Sequence, residues 1–328
     1  MKKPSIATIA VVGTGVIGRS WIQVFARAGC SVRVFDPDPD QMDRAMAWFK
    51  ADLRNLRAQG DLKKKEARAR WDRVRVAESL EDAVAGAGYV QESGPENLAA
   101  KRALYHEIDQ VAGPKAIIGS STSAIDMTEI AAGVPGAHRC IVAHPVNPPH
   151  VVPVVEILGG AATDPKVVRR TIKFMAELGQ TPLLMYRFAI GFVLNRLQAA
   201  LVREAIDLVR SGTCDVESVD TAIRDGLGLR WAVMGPYGVA NTNADHGVAE
   251  YFTRFGGSYQ AVWADLNTDI RFDEDLVARI GKQTDKMVTA SHQAQRAWRD
   301  RMVGKIRRLK AEDPLPQKPR ARKKAGKR

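Results

Sequence analysis

Hydrophobic positions divide the chain into two halves with different periods. In the first half, short apolar blocks recur as IATIAVV, SVRVF, RVRVA, GYVQES, AIIGSS, CIVAHP, VVPVVEI and TPLLM, and helical patterns separate most of them. A long polar helical region runs from about Asp40 to Asp72. From Ala189 onward the pattern changes: GFVLNRLQAALVREAIDLVRSG places apolar residues three and four apart, and no convincing strand follows it. Strands alternating with helices predict an α/β, doubly wound, mostly parallel sheet, with ligands gathered at the carboxyl ends of the strands. An all-α C-terminal domain follows. The expected boundaries are 1–187 for the sheet domain, 188–310 for a helical substrate and dimerisation domain, and 311–328 for a tail.

The first forty residues say what the sheet holds. IATIAVVGTGVIGRSWIQVFARAGCSVRVFD is a strand, a glycine cluster, a helix and a second strand ending in Asp36. Gly13 permits the tight turn out of the strand, Gly15 lets backbone approach a pyrophosphate, and Gly18 lets the helix lie close on the sheet. Amides near Val16 and Ile17 would face the phosphates, because a helix's first turn has unpaired N–H donors and partial positive charge. Asp36 can accept hydrogen bonds from both adenosine ribose hydroxyls and would repel a 2′-phosphate, and no arginine follows it in DPDPD. The expected cofactor is therefore NAD, on a Rossmann-type platform.

Composition changes the picture in one respect. The net charge of +12 suggests an anionic partner, but Lys305–Arg328 carries eleven basic and two acidic residues, a net of +9, leaving +3 for the rest. The basicity belongs to the tail, DPLPQKPRARKKAGKR, which has no apolar period and is expected to be disordered. No aromatic residue interleaves with its charges, so specific nucleic-acid binding is not expected. Cys30, Cys140 and Cys214 lack C-x-x-C spacing, which fits a reducing cytoplasm and no zinc cluster. MKKPSIATIAVVG imitates a signal peptide, but glycines break its apolar run, so it reads as a first strand. No stretch approaches membrane-spanning length.

Oxidising an alcohol with NAD requires a base, and among His106, His138, His144, His150, His246 and His292 the candidate is His144. It follows a buried run, and Pro145, Pro148 and Pro149 are expected to end the sheet ladder there. Glu156, near the end of the next apolar run, could orient the imidazole if the two strand ends converge. The intervening prolines forbid one helical face for His138, His144, His150 and Glu156, so no metal site is expected.

The ordered set VVGTGVIGRS, PENLAAK, SSTS, HPVNPP, VVEI and GFVLNRL resembles the 3-hydroxyacyl-CoA dehydrogenase superfamily over roughly residues 5–310, with HPVNPP, GFVLNRLQ and GLGLRWAVMGP most similar to its lambda-crystallin branch, whose enzymatic form is L-gulonate 3-dehydrogenase. The resemblance implies His144 as general base with Glu156 as its carboxylate partner. It implies Ser123 and Asn195 as hydrogen-bonding groups for the reacting oxygen, and Glu96, Lys101 and Asn147 as contacts on the nicotinamide side. Taken singly, Ser123 could cap a helix near Asp126, Asn195 could be a helix-surface amide, and Glu96 with Lys101 an ordinary solvated pair.

Acyl-CoA members commonly read HFFNP where this chain reads HPVNPP, and lack the arginine in GLGLRWAVMGP. A free hydroxy acid brings a carboxylate that needs a partner, for which Arg230 is the candidate; an interface ion pair is the equal alternative. Asn241 and Asn243 could meet sugar-like hydroxyls or cap helices. The expected activity is NAD-dependent oxidation of the 3-hydroxyl of a small, L-gulonate-like L-3-hydroxy acid by a cytoplasmic homodimer. The alternatives are a 3-hydroxyacyl-CoA dehydrogenase, a carnitine dehydrogenase, or a non-catalytic, crystallin-like NAD-binding protein.

Overall fold

Backbone alternation in the strands builds the core on both faces of one sheet. In a computed structural model, which describes residues 3–287 and 290–315, the strands are β1 (Thr8–Val12), β2 (Ser31–Phe35), β3 (Val74–Val76), β4 (Tyr89–Glu92), β5 (Ile117–Ser120), β6 (Cys140–Pro145), β7 (Val154–Gly159) and β8 (Thr181–Leu184). Their order across the sheet is β3-β2-β1-β4-β5-β6-β7-β8. Every neighbouring pair is parallel except β6 and β7. The chain reverses its direction of winding at β1, between β2 and β4, which is where a doubly wound sheet opens its ligand crevice.

Successive residues point to opposite faces. Ile9 and Val11 of β1, Tyr89 of β4 and Ile117 of β5 join one core with Trp21, Phe25, Phe49 and Phe174, which come from α1 (Val16–Ala28), α2 (Pro39–Ala58) and a later helix. The polar region after Asp40 is two helices, since α2 stops before Gly60 and α3 (Lys64–Trp71) resumes. Ala10, Val12, Val90 and Ile118 face the other core, covered by α4 (Leu80–Val84), α5 (Leu98–Val111) and α6 (Met127–Ile130). The helix that carries Phe174 is α7 (Pro165–Glu177). Local sequence fixes its start, because the side chain of Asp164 accepts from the Lys166 amide ahead of Pro165, and Asp38 and Pro39 do the same for α2.

The prolines after His144 do not stop the ladder where expected. Pro145 still pairs with Val155, and the Val146 amide donates to the Val154 carbonyl at 3.2 Å. Successive amides of a strand face alternate sides, so Pro145 lacks only a donor directed away from β7. On that side β5 pairs with β6 no further than Val142.

A second compact unit begins at Leu197, after a first unit of Met1–Arg196. The division falls nine residues past Arg187 because the segment after Arg187 returns to the sheet: Phe192 is buried in its core and the Val193 amide bonds to β7. The helices here are α8 (Leu194–Arg210), α9 (Val216–Thr221), a π-helical turn Ala222–Leu227, α10 (Gly228–Val233), α11 (Pro236–Thr242), α12 (Val248–Asp265), α13 (Glu274–Met287) and α14 (His292–Glu312). No strand occurs in this unit among its described residues. Residues 311 and 312 of the expected tail are the last of α14, and 316–328 lie outside the described residues. Among the described residues no helix is long and apolar enough to cross a membrane.

Phe25 sits at the centre of the first core, fully buried, with its ring stacked on Trp21 at 5.3 Å and on Phe174 at 6.3 Å between centroids. Phe25→Ala is expected to destabilise this unit by about 3–5 kcal/mol, read as a lowered urea midpoint; a midpoint within error of the parent would remove Phe25 from the core's main supports.

Candidate functional site

The glycine turn has the shape that the spacing implies. Gly13 has φ +88°, and a Cβ there would lie 2.7 Å from the carbonyl of Ser93. A Cβ on Gly18 would lie 1.9 Å from the Gly13 oxygen, so the helix could not approach the strand with any side chain in that place. A Cβ on Gly15 would meet nothing within 4 Å, which leaves that side of the turn open. No side chain caps α1, whereas α2, α5, α6 and α7 each have an Asp or Asn cap. Among the described residues no side chain answers the first-turn amides at Val16 and Ile17, and an anion is what such amides suit.

Asp36 closes the other end of the turn. Its Oδ2 accepts from the Thr14 amide at 2.6 Å and the Thr14 hydroxyl at 2.9 Å, and its Oδ1 accepts from the Asp38 amide at 3.0 Å. Gln41 Nε2 holds the Thr14 carbonyl from α2 at 3.0 Å. Arg44, the first cation after Asp36, is engaged by Asp38 and Gln41. The residues therefore fit NAD: open amide donors at one end of the turn and, at the other, a fixed carboxylate with no free cation beside it among the described residues.

His144 and Glu156 stand directly opposite each other in the antiparallel β6–β7 register. His144 Nδ1 lies 2.7 Å from Glu156 Oε2, with the His144 side chain 9% and that of Glu156 0% exposed. An ionised carboxylate only accepts, so Nδ1 donates to it, and an imidazole with its single proton there has the Nε2 lone pair that a general base needs. The second oxygen, Oε1, accepts from the Val193 amide at 2.8 Å and the Leu194 amide at 3.0 Å, at the start of α8. Gly191 at φ +74° and Phe192 at φ +49° turn the chain to aim those amides. Burial works against the Glu156 anion, but His144 and the Leu194 and Val193 amides outweigh it and hold the carboxyl below its ordinary value of 4.5.

Phe192, which sequence reasoning did not single out, packs edge-on against the His144 ring at 5.4 Å. Its only signal was its place after the glycine of GFVLNRL.

A second acid cluster lies at the carboxyl ends of β4 and β5. Lys101 is 2% exposed, and its Nζ lies 2.8 Å from the buried Glu92 and 3.6 Å from Glu96. Glu92 also accepts from the Ser120 hydroxyl at 2.5 Å and the Gly94 amide at 2.7 Å. Glu96 precedes α5, and its Oε1 accepts from the Thr122 hydroxyl, the Ser123 amide, the Ala124 amide and, at 3.2 Å, the Ser123 hydroxyl. Burial opposes the Glu96 anion, and the Thr122 hydroxyl, the Ser123 amide, Lys101 and the Ala124 amide overcome it, lowering its pKa.

The solvated helical pair is thus excluded: Lys101 is buried against Glu92, and Glu96 is outside the helix. Ser123 is not a helix cap either, since Asp126 fills that place for α6. Asn147 and Asn195 are exposed and make no side-chain hydrogen bond among the described residues, and the same is true of Arg230 on α10.

A dinucleotide platform that also carries an imidazole held by a buried acid is the equipment of an NAD-dependent oxidoreductase, and fold and site assign the chain to that class. Comparison with known proteins narrows the assignment. The chain belongs to the 3-hydroxyacyl-CoA dehydrogenase family: residues 8–187 match its NAD binding domain and residues 191–295 its C-terminal domain. It is 37% identical over 310 residues to a lambda-crystallin homolog of Bos taurus, covering 93% of this chain and 96% of that one. It is 39% identical over 267 residues to an L-carnitine dehydrogenase of Streptomyces griseus, covering 80% and 77%. Among solved structures it is similar to 5-formyl-3-hydroxy-2-methylpyridine 4-carboxylic acid 5-dehydrogenase, an NAD+-dependent dismutase, with a TM-score of 0.78 and 29% identity over 93% of this chain and 98% of that one.

Because the folded pKa of Glu156 is depressed, the stability it contributes is present above 4.5 and is lost as pH falls through the lower folded value. At neutral pH Glu156→Gln should cost about 1–3 kcal/mol, since the charge-assisted bonds from His144 and from the Val193 and Leu194 amides become bonds to a neutral amide. Urea unfolding at stepped pH should show that gap closing below 4.5; a gap that persists unchanged into acid would mean the anion is not what stabilises the site.

Proposed function

We propose that the protein oxidises the 3-hydroxyl of a small L-3-hydroxy acid, L-gulonate-like, to the 3-keto acid, with His144 as the base. One observation carries this reading: the imidazole is held by Glu156 through Nδ1 at 2.7 Å, which leaves Nε2 as the acceptor for a substrate proton. NAD, when bound, supplies the hydride acceptor. His144 takes the hydroxyl proton as the C3 hydride departs, and Glu156 stabilises the imidazolium that results. Ser123 and Asn195 hold the reacting oxygen, the Ser123 hydroxyl leaving its 3.2 Å bond to Glu96 to do so. Asn147 and Glu96 contact the nicotinamide end, and Lys101 acts there through Glu96.

Arg230 is assigned to the substrate carboxylate, an exposed guanidinium with two donors for a planar anion. The likeness to lambda-crystallin homologs and the HPVNPP sequence favour a free acid over a thioester. A second reading, L-carnitine as substrate, has its own support in the 39% identity to an L-carnitine dehydrogenase. The protein is further assigned to the cytoplasm, where its cysteines stay reduced, and to a homodimer formed through its helical unit.

Parallel assays with L-gulonate, L-carnitine and acetoacetyl-CoA, followed by NADH absorbance, separate the substrates, and turnover with L-gulonate is the expected result. Hydride transfer with none of a wide set of hydroxy acids would instead favour a non-catalytic NAD-binding protein. His144→Ala should lower turnover by about 10²–10⁴-fold while NADH still binds, and full activity would remove the base assignment. Arg230→Leu should raise the KM for the acid by about tenfold or more, as expected for a lost charge-assisted contact, with kcat less affected; an unchanged KM would return Arg230 to an interface role.

A further inference from the structure

Alternation along β4 sends Glu92 toward α5 and turns Tyr89, Gln91 and then Ser93 toward α1, where they form a polar chain that proton transfer does not use. Tyr89 donates its hydroxyl to Gln91 Oε1 at 2.8 Å. Gln91 Nε2 lies 2.8 Å and Trp21 Nε1 3.2 Å from the Ser121 hydroxyl, and the Ser121 and Ser93 hydroxyls are 2.9 Å apart. The direction of each bond can be counted. An indole N–H only donates. The Gln91 amide nitrogen also faces the Ala143 carbonyl at 3.5 Å, and because a carbonyl only accepts, that face of the amide is the donor. Two donors therefore occupy both lone pairs of Ser121, and its own proton goes to Ser93. Ser93 accepts that bond and keeps its own proton for another partner; no protein acceptor takes it among the described residues.

The position of that donor is specific. The Ser93 backbone lies against Gly13, and its Cβ would be 3.4 Å from a Cβ on Gly18. Ser93 is partly exposed, whereas Trp21 and Gln91 behind it are buried. A hydroxyl proton turned away from Ser121 at the glycine turn, beside the uncapped first turn of α1, matches an acceptor-only anion.

We propose that Ser93 is a cofactor ligand whose hydroxyl donates to the NAD pyrophosphate, and that Trp21, Gln91 and Ser121 are positioning residues that fix its direction. The inference concerns cofactor binding and stands whether or not the substrate and base are as assigned above.

Titration calorimetry of the full chain with ADP-ribose, which has the pyrophosphate but no nicotinamide, tests it. Ser93→Ala should bind ADP-ribose about tenfold more weakly, the size of a lost hydrogen bond to a charged group. Binding of adenosine, which lacks phosphate, should be unchanged. Ser121→Ala should lose affinity about threefold although it retains Ser93, and the double variant should be no weaker than Ser93→Ala alone, because the two act through one donor. If Ser93→Ala melts early, the near-isosteric Ser93→Cys, a weak donor, should lose ADP-ribose affinity severalfold at an unchanged melting temperature. Parent-like ADP-ribose affinity in the Ser93 variants, an equal loss for adenosine, or a double-variant loss equal to the product of the single losses would each overturn the proposal.

Discussion

A carboxylate without water must be answered by donors, and the requirement that Glu156 be answered on both oxygens organises half of this molecule. Removing an anion from solvent costs several kcal/mol even after relaxation. Glu156 meets that cost with an imidazole on one oxygen and two backbone amides on the other. The imidazole comes from the neighbouring strand and the amides from a turn almost forty residues later in the chain. The same contacts therefore fix the tautomer of His144, anchor the start of α8, and keep residues up to Arg196 within the sheet unit. Negative charge at a helix start is favourable in its own right, so the bonds that orient the imidazole also stabilise the helix leaving the sheet.

The antiparallel turn of β7 makes this arrangement possible. In a wholly parallel sheet, neighbours of His144 would approach the crevice at their own carboxyl ends and leave by loops on the same side. β7 instead begins there, so Glu156, its third residue, is still within a ladder when it faces His144. A side chain held in a ladder has a fixed backbone behind it, and that gives the His144–Glu156 pair its reproducible geometry. Pro145 fits this scheme because the only amide it withholds points away from β7.

The strand blocks, the glycine turn and the change to a helical pattern after Ala189 were legible in the sequence, since each is a local pattern with a local cause. Pairing was less so. That His144 and Glu156 needed converging strands could be said from their flanking prolines and apolar runs, but not that β6 and β7 run antiparallel, because eight residues separate the two strands and no two-residue turn signal stands between. The partner of Lys101 was illegible for a similar reason. Glu96 is nearer in sequence, yet Lys101 reaches Glu92, which looks like an ordinary end-of-strand residue until α5 is laid on the sheet. Likewise, nothing local distinguishes Phe192 from other core aromatics; its role follows from the left-handed turn that places it on the His144 ring.

β4 carries two polar networks on its opposite faces. Its period of two divides its polar residues between faces: Glu92 goes to the α5 side, where it neutralises Lys101 and thereby supports Glu96 and the loop through Ser123, while Gln91 goes to the α1 side and joins Trp21 and Ser121. Gln91 and Trp21 on one face and Glu92 and Lys101 on the other are buried, and a half-satisfied buried network is more costly than an apolar core, so neither set can shift without breaking buried bonds. The glycine turn and the Ser123 loop are consequently held to the same four-residue strand on opposite faces. A change in register of β4 by one residue would exchange the two faces and lose both networks together, so the strand's alternation, more than any single contact, fixes the spacing between the glycine turn and the Ser123 loop.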